Sequence, residues 1–282
     1  MKDSSKRWLI TGISGGFGQL LAQAALDRGD AVVGTVRQAE QGAAFEALAP
    51  GRAHAVLLDV TDRKRIPTAV AEAVGKLGGL DILVNNAGYG LAGVLEECED
   101  DEIDHVIATN LHGTIYVTRA ALPALRESRG QIVNMSSLAG LVGFPGMAPY
   151  CAAKHAVEGL SEALHVELQP FGVGVMLVEP GGFRTNFLKG SERIARNPLP
   201  VYDGTAGGMT RSGIRSMGGH EAGDPAKAAI AILQAIDADD PPMRLILGSA
   251  ALDMVKGKLA QVDANIAAWE EVSLSTEFAS HD

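Results

Sequence analysis

Cysteine is scarce in this chain: Cys98 and Cys151 are the only two among 282 residues. Two thiols without a CxxC spacing exclude a disulfide framework and a cysteine-rich zinc module, and they point to a reducing, cytoplasmic setting. The seven histidines are scattered, with neither HExxH nor HxxxH among them, so no metal site is expected. Apolar residues make up 46% of the chain, yet no uninterrupted run approaches the ~20 residues of a membrane span. The opening MKDSSKRWLITG also lacks the apolar stretch of a secretory signal. Basic residues are in deficit, 24 against 34 acidic, leaving a net charge of −10. Such a surface repels phosphate backbones and anionic headgroups, which weighs against nucleic-acid and membrane partners. A Pro/Ser-rich linker, an internal repeat and a low-complexity tract are also missing, so residues 1–282 read as one domain.

What is present is alternation. Short, β-branched runs at 8–11, 31–36, 54–60, 81–86, 131–136, 173–179 and 244–248 are hydrophobic almost throughout, the habit of parallel strands covered on both faces. Between them apolar residues recur at helical spacing. Examples are Phe17, Leu20, Leu21 and Ala24, then Ile66, Val70, Val74 and Leu77. Val157, Leu160, Leu164 and Leu168 repeat the pattern, as do Ala229, Ile232, Leu233 and Ile236. Parallel strands need crossovers, so the pattern specifies an α/β, single-domain Rossmann fold. Its doubly wound parallel sheet has about seven strands and helices on both faces. Two stretches break the rhythm. Residues 184–222 hold seven glycines and no convincing period, and read as an irregular substrate-binding loop or lid. Residues 270–282 are polar and read as a frayed tail.

The first strand runs into Thr11-Gly12-Ile13-Ser14-Gly15-Gly16-Phe17-Gly18 and then a helix. Glycines at 12, 16 and 18 let the backbone turn tightly and approach a pyrophosphate seated on the helix N-terminus, with Ser14, Gly15 and Phe17 in the same turn. A carboxylate ending the second strand would hold an adenosine 2′-hydroxyl, but this chain reads Thr35-Val36-Arg37 there. Arg37 offers a planar fork suited to a 2′-phosphate, so the cofactor expected is NADP(H) rather than NAD(H). Asp59 and Val60 close the third strand. Asp59 either meets the adenine amino group or caps the helix starting near Asp62, and spacing leaves both open.

Tyr150 and Lys154 form YCAAK, i and i+4 on one helix face. With four tyrosines and nine lysines, chance gives a YxxxK in roughly one such chain in eight, so the weight lies in combination. Ser137 closes the strand QIVNMS, 13 residues before Tyr150. Asn86-Ala87-Gly88 follows the fourth strand, and Asn110 lies in a later helical stretch. Pro180 and Gly181 follow the sixth strand, with Phe183 and Thr185 just beyond. All fall at the C-terminal edge of the sheet, where ligands bind in such folds.

Over roughly residues 7–248 these ordered motifs resemble the short-chain dehydrogenase/reductase family. TGISGGFG is similar to its TGxxxGxG cofactor motif, NNAG to its strand-four motif and PGGFRT to its PGxxxT nicotinamide motif. Asn110, Ser137, Tyr150 and Lys154 match its catalytic tetrad. The resemblance implies that Tyr150 exchanges the proton, Ser137 orients the carbonyl and Asn110 supports a relay water. Lys154 would hold the nicotinamide ribose and lower the tyrosine pKa. Assembly as a dimer or tetramer, through helices around 103–127 and 150–170, is implied in the same way. Gly15 departs from NADP-preferring members, which often carry Ser or a basic residue there, and this leaves Arg37 as the single determinant. Elementary chemistry gives Lys154 the same task. A free phenol, pKa ~10, is about 0.1% ionised at pH 7, and shifting it by about three units costs ~4 kcal/mol. An ammonium about 4 Å away at an effective dielectric of ~20 supplies a term of that order.

Leu91-Ala92, the stretch from Leu138 to Met147, Phe183 and Phe187 are apolar and flank the expected nicotinamide position. The expected activity is therefore NADP(H)-dependent interconversion of a hydrophobic ketone or aldehyde with a secondary alcohol. Six basic residues against three acidic ones in 184–222 form a cationic island and motivate an alternative, a 3-oxoacyl-carrier-protein reductase. A catalytically silent dinucleotide sensor is the alternative from another class. The joint presence of Tyr150 and Lys154 speaks against it.

Overall fold

A computed structural model describes residues 5–187, 190 and 192–278, apart from the side chains of Arg215 and Met217. Each expected strand is present: β1 (Arg7–Ile10), β2 (Ala31–Val36), β3 (Ala53–Leu57), β4 (Ile82–Asn85), β6 (Gln131–Met135), β7 (Gly174–Pro180) and β9 (Arg244–Leu247). They form one sheet in the order β3-β2-β1-β4-β6-β7-β9, every pair parallel. The chain winds outward from β1 in one direction through β3 and in the other from β4. The crevice between β1 and β4 is therefore the switch point where such sheets bind ligands.

The unbroken hydrophobicity of the strands has a direct cause. On β1, Trp8 and Ile10 enter one core with Leu21, Val84 and Ile232. Leu9, between them, enters the opposite core with Val70, Leu83, Val117 and Leu125. Successive side chains on a strand point to opposite faces, so a sheet covered twice needs apolar residues at every position. Helices α1 (Gly16–Asp27) and α8 (Pro225–Ile236) cover the first face, and α3 (Ile66–Leu77) and α5 (Gly113–Ser128) the second. Also present are α2 (Ala39–Glu46), α4 (Asp100–Ile107) and α6 (Ala148–Leu168). Trp8 is fully buried, and its indole N–H donates to the buried Asp30 at 2.8 Å.

Two sequence expectations are corrected. The 184–222 stretch contains regular structure: β8 (Arg193–Ile194) pairs with β5 (Leu91–Ala92), and α7 spans Ala206–Met217. Its buried face is Gly207, Arg211 and Ile214, at i, i+4 and i+7. Helical period was present there, written in a glycine and an arginine instead of aliphatic residues. Gly207 leaves room for Val94 and Gly146, which an added Cβ would meet at 2.6 and 3.4 Å. Lys189, one of the six basic residues, lies outside the described residues. The tail is the second correction: α9 runs from Ser249 to Leu274, through the first five residues expected to fray. The rest of that tail, 279–282, lies outside the described residues. Among the described residues, no helix is long and apolar enough to cross a membrane.

Candidate active site

The site is built where β1 and β4 part. Gly12 and Gly16 adopt φ of +71° and +58°, a region costly for residues with a Cβ. Gly12 lies against Ala87, and a Cβ on Gly18 would fall 2.4 Å from Asn86 Nδ2 and 2.5 Å from the Gly12 carbonyl. The turn is fixed from behind. Thr11 Oγ1 accepts from the Asn86 and Ala87 amides at 2.9 and 3.0 Å, and Asn86 Nδ2 donates to the Thr11 and Gly12 carbonyls, each at 2.9 Å. The Gly12 amide donates to Thr35 Oγ1 at 3.0 Å, tying the turn to β2. No side chain caps α1 and its first turn carries no acid, so its leading N–H groups are left to an anion. Ser14 is exposed on this turn. Opposite stands the Pro180-Gly181 turn: Phe183 packs edge-on against Phe17 at 5.4 Å, and Thr185 and Asn186 face Gly16 and Gly15.

At the other end of the crevice four side chains converge. Tyr150 and Lys154 are both buried on α6. Ser137, at the end of β6, faces the Tyr150 hydroxyl closely enough to draw its pKa down. Its neighbour Ser136 turns away to the Glu158 carboxylate, which identifies Ser137 as the serine on the tyrosine's side. Asn110 is 1% exposed within a π-turn, Ala108–His112, between α4 and α5. Its Nδ2 donates to the Tyr89 and Val106 carbonyls at 3.0 and 2.9 Å. Its Oδ1 has no hydrogen-bond partner. That oxygen and Lys154 Nζ both border Gly88, where a Cβ would meet them at 2.5 and 3.7 Å. A buried, unpaired acceptor is expensive and marks a place meant to receive a donor.

In the protein alone, Lys154 is held by the backbone. Its Nζ stands 5.8 Å from the phenol ring centre and donates to the Met135 carbonyl at 2.7 Å. Burial pushes the Tyr150 pKa up to about 12, and Ser137 only partly opposes it. Burial likewise pushes Lys154 down to about 8, against the pull of Glu158 one turn further on. In the protein alone, desolvation outweighs attraction. The phenol is held neutral.

Glu158, Glu179 and Arg244 were not singled out from the sequence, although Glu158 stands i+4 from Lys154. Glu158 and Glu179 are buried and bridged by the Arg244 guanidinium behind the Tyr-Lys helix. Burial, with the charge of Glu158, pushes Glu179 up to about 7.

The remaining predicted residues occupy the adenosine end or the rim. Arg37 is exposed at the end of β2, beside Gln38 and Gln41 on a shallow cleft. Asp59 does not cap α3, which begins only at Ile66: its carboxylate accepts from the Thr61 amide and hydroxyl at 2.9 and 2.7 Å. Val60 is buried against Gly113 at the start of α5. Phe187 closes over Tyr150, ring centres 5.8 Å apart. Leu91 and Ala92 are fully buried and back the pocket wall. The cationic island is largely spent inside the protein. Arg211 pairs with buried Glu97 and with Asp203, Arg196 with Asp101 and Glu102, and Arg193 lies over the Tyr89 ring. Among the described residues, no group of three or more His, Cys, Asp or Glu could hold a metal.

A glycine turn open to an anion, joined along one sheet edge to a half-buried Ser137 and a buried Tyr–Lys pair, defines a dinucleotide-dependent oxidoreductase acting on CH–OH groups. Residues 6–194 match the short chain dehydrogenase family, and the chain belongs to it. Over 275 residues it is 37% identical to Oxidoreductase BOA17 of Botryotinia fuckeliana (strain B05.10), covering 96% of this chain and 99% of that one. It is 35% identical over 203 residues to the NADPH-dependent 3-dehydrocapnine reductase of Ornithobacterium rhinotracheale, covering 69% and 71% of the two chains. A solved short-chain dehydrogenase from Streptomyces avermitilis superposes with a TM-score of 0.90 at 43% identity, covering 98% of this chain and all of that one.

Proposed function

We propose that the protein is an NADP(H)-dependent reductase of a hydrophobic ketone or aldehyde, able to run in reverse on the secondary alcohol. The observation that carries this is the convergence of Ser137, Tyr150, Lys154 and the unpaired Asn110 Oδ1 beside the glycine turn. The dinucleotide fits the chain's own features: the uncapped start of α1, the glycine surface that a Cβ would fill, and the orphan acceptor at Gly88. Gly12, Ser14, Gly15, Gly16, Phe17 and Gly18 would hold its pyrophosphate, and Arg37 the 2′-phosphate. Asp59 and Val60 would border the adenine. Asn86, Ala87, Gly88, Pro180, Gly181, Phe183 and Thr185 would line the nicotinamide half. When bound, the nicotinamide supplies or accepts the hydride.

The chain's residues handle the proton and the orientation. Ser137 donates a hydrogen bond to the substrate carbonyl oxygen, where negative charge builds as reduction proceeds. Tyr150, neutral at physiological pH, delivers its hydroxyl proton to that oxygen. Lys154 and Asn110 would hold a ribose hydroxyl of the dinucleotide and a water between them, with Lys154 placed to return a proton to Tyr150. Tyr89, Met147 and Phe187 pack with the phenol in one apolar cluster, which supports a hydrophobic substrate. Arg37, in place of an acid, and the NADPH-dependent relative support the phosphate-bearing cofactor. The 184–222 segment, with Phe187 on Tyr150, serves as the specificity wall. Pairing of Arg196 and Arg211 with acids of the chain weakens the observation that favoured an acyl-carrier substrate. The test is NADPH consumption across steroid, aromatic, aliphatic and acyl-thioester carbonyls, repeated with NADH. Turnover of free hydrophobic ketones with higher kcat/KM for NADPH is expected. A preference for NADH, or for acyl-carrier thioesters, would overturn the reading.

A further inference from the structure

Beyond Val255, helix α9 leaves the body of the protein, and no other described residue covers it. Ala251 and Val255 are buried against Leu138, but every described residue from 256 to 278 is exposed. That free end is not polar. Leu259, Ile266 and Trp269 are 62%, 62% and 64% exposed, with Val262 between them. Read from the start of the helix, Leu252, Val255, Leu259, Val262, Ile266 and Trp269 recur at spacings of 3, 4, 3, 4 and 3. This is the seam period of paired helices, in which a stripe repeating every 3.5 residues stays aligned with a partner stripe. The seam that packs on the body in the first turn and a half continues, uncovered, for 14 further residues to Trp269, about 21 Å at ~1.5 Å per residue. An uncovered apolar seam of that length marks an interface.

We infer that this seam pairs with the same seam of a second copy of the chain, the two α9 helices antiparallel about a two-fold axis. The sequence is complementary to itself in that register. Placing Val262 of one copy on Ile266 of the other brings Leu259 opposite Trp269, and the two-fold repeats both pairs. Each exposed seam residue then meets another. On one flank Lys256 of one helix faces Glu270 of the other, twice, while Asp263 of each copy meets its counterpart near the axis. The tip of each helix reaches the other body beside Leu252 and Met254, 41% and 40% exposed, which extends the buried surface toward the ~800 Å² per partner of a stable interface. Charge disfavours a lipid surface as the occupant. The polar side of α9 carries four acids, Asp253, Asp263, Glu270 and Glu271, against Lys256 and Lys258, whereas surface-bound helices are rich in basic residues there. This interface lies outside the 103–127 and 150–170 helices named for assembly above, and it does not depend on the proposed activity.

The test is the mass of the full chain by light scattering after size-exclusion chromatography, for wild type and Ile266→Glu. Ile266 touches neither core nor site, so the variant should keep its thermal midpoint and reductase activity while its mass falls twofold. Orientation is read by mixing variants with one added cysteine, in a background with Cys98 and Cys151 replaced by Ser, under mild oxidation. Leu259→Cys should cross-link to Trp269→Cys and not to itself. A monomeric wild type overturns the inference, as does an Ile266→Glu variant of unchanged mass. Self-linking of Leu259→Cys would overturn the antiparallel register. Flotation of monomeric wild type with phosphatidylcholine vesicles, lost in Ile266→Glu, would assign the seam to a lipid surface instead.

Discussion

Replacing Lys154 by Met should make the protein more stable and disable it at once. Lys154 is buried, and its pKa falls from 10.5 to about 8 because desolvation disfavours the ammonium. Below pH 8 the amine is protonated in both the folded and unfolded chain, and the full cost of burying its charge is present. Between pH 8 and 10.5 the unfolded chain keeps a proton that the folded chain has shed, so stability rises with pH across that window. At ~1.36 kcal/mol per unit the cost at pH 7 is about 3 kcal/mol. Methionine is close in volume and removes that cost, but it also removes the 2.7 Å bond to the Met135 carbonyl, a loss of about 1–2 kcal/mol. The net expectation is stabilisation by about 1–2 kcal/mol at pH 7, shrinking to nothing or reversing by pH 10.5. Urea unfolding followed by circular dichroism at both pH values measures it, with equal m-values as the control for two-state behaviour. A variant less stable than wild type at pH 7 would refute the reasoning, because it would mean that the ammonium is net stabilising where it stands.

Other expectations follow from single contacts. Gly18→Ala places a Cβ 2.4 Å from Asn86 Nδ2 and 2.5 Å from the Gly12 carbonyl. It should cost about 1–3 kcal/mol in urea unfolding and weaken NADPH binding measured by fluorescence titration. Arg37→Ala should raise the KM for NADPH about tenfold or more, the worth of a charge-assisted hydrogen bond, with the KM for NADH unchanged. An equal rise for both would remove Arg37 from the 2′-phosphate. Because Tyr150 is held near 12, alcohol oxidation, which needs the phenolate as base, should accelerate steadily from pH 7 to 10. Ketone reduction, served by the neutral phenol, should show no such rise, and parallel profiles would contradict the assignment.

The parts of this protein legible in its sequence are those governed by repeating geometry. A strand buried on both faces must be apolar at each position, so Trp8-Leu9-Ile10 announced itself. The i, i+4 spacing likewise put Tyr150 and Lys154 on one face of α6. Helix α7 escaped because Gly207 and Arg211 occupy its buried face. Arg211 can sit there only because Glu97, over a hundred residues earlier, neutralises it. The α9 seam was hidden by the polar residues that follow Trp269. The electrostatics of the site were the least legible part. That Lys154 would be spent on the Met135 carbonyl, and that burial would lift Tyr150 instead of lowering it, depends on what surrounds each group in space. Ser137, by contrast, was legible from its 13-residue spacing to Tyr150, and Ser136 turns to Glu158.

The most direct measurement is single-turnover reduction by Tyr150→Phe, which keeps the ring against Phe187 and deletes only the hydroxyl. The rate should fall at least a hundredfold, as expected for loss of a positioned proton donor, while the Kd for NADPH stays within about twofold. A variant that reduces the ketone at the wild-type rate would show that the proton comes from elsewhere.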